Sequence, residues 1–186
     1  MLNMKMSDIP QPESKSTRPK LETGTYPAIV DLIVDLGVQS VERYEEKGVF
    51  DDKRRIWVGV CLPTEVYTVE SDDGDVEYCQ VIGKEENFSP NDESNITKYY
   101  KALCSPDEVV SDMLGKACTV TIGMTSGNKP KIMSISSAMK GTSIKLPKGH
   151  ELVAVGENEW DKVDDYDIPK FLKDAIKARV GGPEAV

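Results

Sequence analysis

The chain has 186 residues and 32 acidic against 23 basic groups, a net charge of −9. That length suits one compact domain with tails, and a hydrophobic content of 39% falls below the ~45–50% of a typical globular chain, leaving part of the sequence to loops. No apolar run approaches the ~18 residues of a membrane span and no apolar signal region opens the chain, so neither a membrane nor a secreted protein is expected, and a cytoplasmic location is.

Residues 1–20 hold three prolines among Ser, Lys and Glu and predict a disordered leader. GTYPAIVDLIVDL (24–36) is rich in Val and Ile and predicts a first strand, followed by a polar loop over 39–53 that contains Tyr44 and Phe50. RRIWVGVCL (54–62) alternates most clearly: Ile56, Val58, Val60 and Leu62 share one face, and Arg55, Trp57, Gly59 and Cys61 the other. A turn at Asp72-Asp73-Gly74 leads to a third strand over 76–82. Ile96, Tyr99, Tyr100 and Leu103 fall at helical spacing behind Ser94, a good N-cap, and a second short helix is predicted from Pro106 to Leu114 behind Ser105. ACTVTIGM (117–124) and KIMSISS (131–137) form strands four and five around a turn at 127–130. Residues 140–149 form a loop, 151–166 are acidic, Glu157 to Asp167 is read as a linker, and 168–180 form a terminal amphipathic helix stopped by Gly181-Gly182-Pro183.

Three strands, a helical insert and a two-stranded hairpin predict a mainly β chain, a five-stranded OB-fold barrel whose helix lies between strands three and four. The division expected is a leader (1–20), an OB domain (21–140) and a C-terminal extension (141–186).

Charge is uneven. Residues 21–90 carry six basic and sixteen acidic groups, whereas 91–150 carry eight basic and five acidic. A phosphate-binding surface must therefore be local. Cys61, Cys79, Cys104 and Cys118 show no C-x-x-C pair and His150 is the one histidine, so structural cysteines, no metal and no cofactor are expected, with His150 solvated.

The stretches LETGTYPAIVDLIVDLGVQ (21–39), IWVGVCLPTE (56–65), VIGKEENFSPNDESNITKYYKAL (81–103), LGKACTVTIG (114–123) and DIPKFLKDAIK (167–177) come in an order that resembles the single-stranded DNA-binding proteins of tailed phages. The resemblance covers most of residues 21–180 and implies an OB fold that coats single strands in phage DNA replication or recombination. Where relatives often carry a basic residue early in strand one, this chain has Ile29.

Single-strand binding needs aromatic faces for bases and cations for the backbone. Arg55 and Trp57 share one strand face, with Arg54, Lys53 and Tyr44 at its mouth. Gly59 leaves room for a base, Tyr78 with Tyr67 behind it offers a second platform, and Lys129, Lys131 and Lys116 a rim. No Walker loop, nucleophile elbow or H-E-x-x-H is present, so a non-catalytic protein is expected. Glu157 to Asp167 and the terminal helix could dock on replication or recombination proteins or compete for the DNA groove; the oligomeric state is open, a homodimer included. The competing reading is an OB-type interaction module, an adaptor, virion component or DNA mimic, that uses its acidic surface.

Overall fold

The structure, a computed structural model, describes residues 19–69, 75–141 and 143–182. The expected leader lies almost wholly outside these residues, and the turn at 72–74 entirely so.

Five antiparallel strands run in the order β3-β2-β1-β4-β5: β1 Gly24–Glu42, β2 Phe50–Val69, β3 Val76–Asn87, β4 Ala117–Met124 and β5 Pro130–Ser137. The helix α1 (Asn95–Leu103) sits between β3 and β4 in sequence, as the order of signals predicts. Ser94 caps it by accepting from the Thr97 N–H. A barrel is not closed. β3 and β5 end the sheet without pairing to each other, so the closed five-stranded barrel is corrected to an open, mainly β sheet. Further elements differ in extent. β1 and β2 take up most of the loop predicted over 39–53, because their ladder runs on to Glu42 opposite Phe50. The helix predicted from Pro106 is reduced to a 3-10 turn at Val110–Met113, although Glu108 does reach back to accept the Ser105 N–H as a helix start would have it. The terminal helix is α2, Lys170–Lys177. The acidic region is structured: a short strand, β6 (Val153–Val155), precedes the segment read as a linker, which is itself mostly a 3-10 helix over Glu157–Asp165.

β1 explains how that extension finds its place. Its first residues, Gly24 to Ile29, pair with β4. Pairing with β4 ends there, a bulge at Asp31 shifts the register against β2, and the edge that β4 leaves open at Leu32–Val34 takes β6 in parallel. Two cores result. The inner one gathers Val30, Ile33, Val58, Val60, Leu62, Val120, Ile122 and Ile132 with Tyr99 of α1. The outer one, on the opposite face of β1 and β2, gathers Val34 and Leu36 with Val155, Val163, Leu172 and Ile176, and Trp57 packs against it. Among the described residues no helix is long and apolar enough to cross a membrane.

Candidate nucleic-acid interface

The alternation on β2 places Trp57 on the outer face as predicted, but that face is covered there. Phe171 of α2 meets the indole edge-on, with ring centroids 5.1 Å apart. On its other side the indole leans over β3. A Cβ on Gly83 would fall against Trp57 Nε1, Cε2 and Cζ2, so only glycine fits beneath it. Gly59, the cross-strand partner of Gly83, is likewise held to glycine, since a Cβ there would meet Leu32 Cβ at 2.9 Å.

The cations nominated around Trp57 are occupied. Arg54 donates to Asp35 Oδ2 at 2.5 Å and to Glu157 of the 3-10 helix at 2.9 Å, and stacks over Phe88. The hydrogen bond to Asp35 raises its pKa, against the smaller opposing effect of burial. Arg55 holds Glu85 at 2.6 Å and also bonds Asn87, the residues that β3 presents beside it. Lys53 lies 3.6 Å from Asp51. Lys116 is 2.5 Å from Glu108, whose hydrogen bond raises the lysine pKa, and it also bonds the Leu103 carbonyl, on the α1 side of the fold. These four are structural ion pairs rather than a free cationic track.

Tyr44 projects fully exposed from the β1–β2 turn, at the far end of the hairpin from Tyr67 and Tyr78. Those two are cross-strand partners and stack, with centroids 5.8 Å apart and planes inclined by 26°. Lys129 and Lys131 lie at the β4–β5 turn. Along with Lys140, Lys145 and Lys148 they have no carboxylate within 4.0 Å among the described residues.

A groove of about 700 Å³ crosses the outer face between the Trp57–Phe171 pair at one end and Tyr78 at the other. The loop 147–151 forms one wall, with Lys148 in it, while Asp31, Glu77, Glu151 and Asp167 put carboxylates on the lining. His150, expected to be solvated, is largely enclosed. Its Nε2 lies 2.9 Å from Asp31 Oδ2 and its Nδ1 3.6 Å from Cys79 Sγ. Burial pushes the Asp31 carboxyl above its ordinary value, and the bond to His150 pulls the other way. Cys61 and Cys79 are joined as a disulfide, while Cys104 and Cys118 are free. Cys118 is buried, which pushes its thiol up to about 12 with help from the charge of Asp31.

Sequence reasoning misses Phe171, Gly83 and His150. The amphipathic pattern around Phe171 is visible in the sequence; nothing in it says which sheet face the helix covers. Comparison of the chain with protein-family models, curated proteins and solved structures finds no match.

Proposed function

We propose that this protein is a non-catalytic binder of single-stranded DNA, with a path different from the one the sequence suggests. One observation carries the reading. The cations of β1–β3 are tied to carboxylates, whereas five lysines between 129 and 148 have none within 4.0 Å among the described residues, and the last of them lines an aromatic-ended groove. The backbone of a strand would follow Lys129, Lys131, Lys140, Lys145 and Lys148, and a base would enter the groove to stack on Tyr78, already backed by Tyr67. Carboxylates at Asp31, Glu77, Glu151 and Asp167 repel phosphate, so the backbone stays on the lysine side and only bases go in. The strand order β3-β2-β1-β4-β5 with an unpaired β3–β5 edge supports an OB-type barrel left partly open. The resemblance in element order to phage single-stranded DNA-binding proteins supports the same reading and a role in DNA replication or recombination.

Anisotropy titration of labelled oligothymidine and of a duplex, at two salt concentrations, tests it. Binding of the single strand should weaken with salt at a log–log slope of about −0.7 per phosphate contact. Lys145→Ala with Lys148→Ala should flatten that slope by about 1.4 if both contacts are lost, and Tyr78→Ala should cost roughly 1–3 kcal/mol. No single-strand binding at low salt disproves the reading. A second reading, a protein-interaction module, is favoured by a specific patch: Val66, Val69, Val76, Tyr78 and Val81 are each at least 40% exposed near the β2–β3 hairpin end. Absence of single-strand binding would move the assignment there, whereas DNA binding untouched by the lysine and Tyr78 variants would overturn the path and keep the binder.

A further inference from the structure

In the wall of the groove, one cluster carries a sulfur–imidazole chemistry that neither reading uses. Cys61 and Cys79 lie on adjacent strands on the same face: Cys61 pairs with Val81, so Cys79 is its diagonal neighbour, with Cα atoms 6.2 Å apart. The loop 147–151 lays the chain's one histidine over them, and the two Sγ atoms and an imidazole nitrogen all fall within 4.8 Å of one another. Both cysteines are buried. The histidine is oriented from behind. Asp31, lifted out of the ladder by the β1 bulge and 6% exposed, meets Nε2, while its Oδ1 has no hydrogen-bond partner.

That arrangement fixes the tautomer. A carboxylate only accepts, so the proton belongs on Nε2, and the lone pair of Nδ1 then points at Cys79 Sγ. Against a disulfide sulfur there is no proton for that lone pair to accept. Against two thiolates there is a place for a cation. A carboxylate on the far nitrogen of an imidazole, with the near nitrogen beside sulfur, is how proteins orient histidine toward a metal.

We propose that, when reduced, Cys61, Cys79 and His150 bind one thiophilic divalent cation, zinc(II) being the natural candidate, with Asp31 as the positioning residue. Sulfur and imidazole donors select such a cation over magnesium or calcium. The disulfide and the metal are alternative occupants of the same sulfurs. A dithiol reductant gives two electrons and two protons to the disulfide and is itself oxidised to a disulfide. Binding the cation then releases the two thiol protons, and water completes the tetrahedron. Reducing compartments hold such pairs as thiols, which makes the metal form the one expected there. Zinc–sulfur bonds of about 2.3 Å in a tetrahedron put the sulfurs roughly 3.8 Å apart, so the strands need part slightly. Two thiolates cancel the charge of the cation, so it would not draw phosphate into the groove. Its effect is mechanical: it ties the loop 147–151, one wall of the groove, to β2 and β3. The site stands or falls independently of DNA binding.

Cobalt(II) is the probe, added to the full chain in metal-free buffer after reduction by a phosphine. One equivalent should bind, with thiolate-to-cobalt charge-transfer absorption and the visible bands of tetrahedral cobalt, and zinc should displace it. The disulfide form should give no such spectrum. His150→Ala, on a loop outside both cores, should weaken binding at least about tenfold, and Asp31→Asn about 10–100-fold with the charge-transfer bands retained. The double variant Cys104→Ser/Cys118→Ser should bind as the parent does. Because Cys61→Ser could unfold the chain, these variants carry the test in its place. No cobalt spectrum after reduction, full affinity in His150→Ala, or loss in Cys104→Ser/Cys118→Ser would each overturn the site.

Discussion

β1 and β2 bury both of their faces, and they do it by different means. On the inner face, Val30, Ile33, Val58 and Val60 meet residues of neighbouring strands and of α1, which belong to the same succession of hairpins. On the outer face, Val34 and Leu36 wait for residues from the far end of the chain, and the indole N–H of Trp160 reaches the Asp35 carbonyl across 125 positions of sequence. The inner core is thus made mostly by pairing, the outer by docking. Docking leaves a half-covered surface, and the groove begins where the cover stops, at Phe171.

The largest test of this contrast compares two buried leucines. Leu62→Ala in the inner core and Leu172→Ala in the outer each delete a side chain that is at most 1% exposed, and each should cost about 2–5 kcal/mol. They should differ in what unfolds. Leu62→Ala should shift one global transition in denaturant. Leu172→Ala should release the extension first, seen as a change in Trp160 fluorescence before the far-ultraviolet signal moves. Coincident transitions in Leu172→Ala would show that both cores form one cooperative unit.

The Trp57 seam offers smaller tests. Gly83→Ala places a methyl group in the plane of contact with the indole and should cost about 1–3 kcal/mol, with an altered Trp57 emission. An unchanged emission would mean that the ring does not rest on β3. Phe171→Ala removes one edge-to-face contact, worth roughly 0.5–1.5 kcal/mol, from a ring that is itself half exposed. If the extension competes with DNA for this face, the same variant should bind oligothymidine more tightly and show deeper tryptophan quenching. Equal affinity would make the cover a structural lid with no part in binding.

The strands and α1 are legible in the sequence because each carries its own period: the inward set Ile56, Val58, Val60 and Leu62 lies in the inner core as the alternation requires. The outer core is half legible. Ile29 to Leu36 is apolar on both faces, a sign of a doubly covered strand, yet periodicity does not say what provides the cover. The ion pairing of the nominated cations is hidden for a related reason. Their own strand makes Arg54 and Arg55 look free, whereas their partners, Asp35, Glu85 and Glu157, come from β1, β3 and the extension. His150 is unreadable from spacing, because its partners Asp31 and Cys79 are 119 and 71 residues away.

Acid should separate the two cores with the gentlest effect of all. Within the extension, the Gly156 N–H and the Tyr166 hydroxyl hold Glu159 below its ordinary value of 4.5, with Lys162 nearby, and Lys177, with Lys173 behind it, holds Asp164 below 3.8. A carboxyl whose folded pKa is depressed stabilises the fold above its unfolded value and loses that contribution as the pH falls through the folded one. The loss therefore begins near pH 4.5 and continues downward. Asp51 beside Arg43 and Glu108 beside Lys116 are held low as well, but neither belongs to the inner core. Glu159 and Asp164, by contrast, close the 3-10 helix and link it to α2, so the docked face should loosen before the paired one. Both tryptophans lie in or against the outer core, which makes their emission the measure. A shift between about pH 4.5 and 3 with the β-sheet circular dichroism intact is the expected result, and Glu159→Gln should abolish part of its pH dependence. Tryptophan emission and sheet signal that fall together at every pH would instead make the extension as firmly held as the strands it covers.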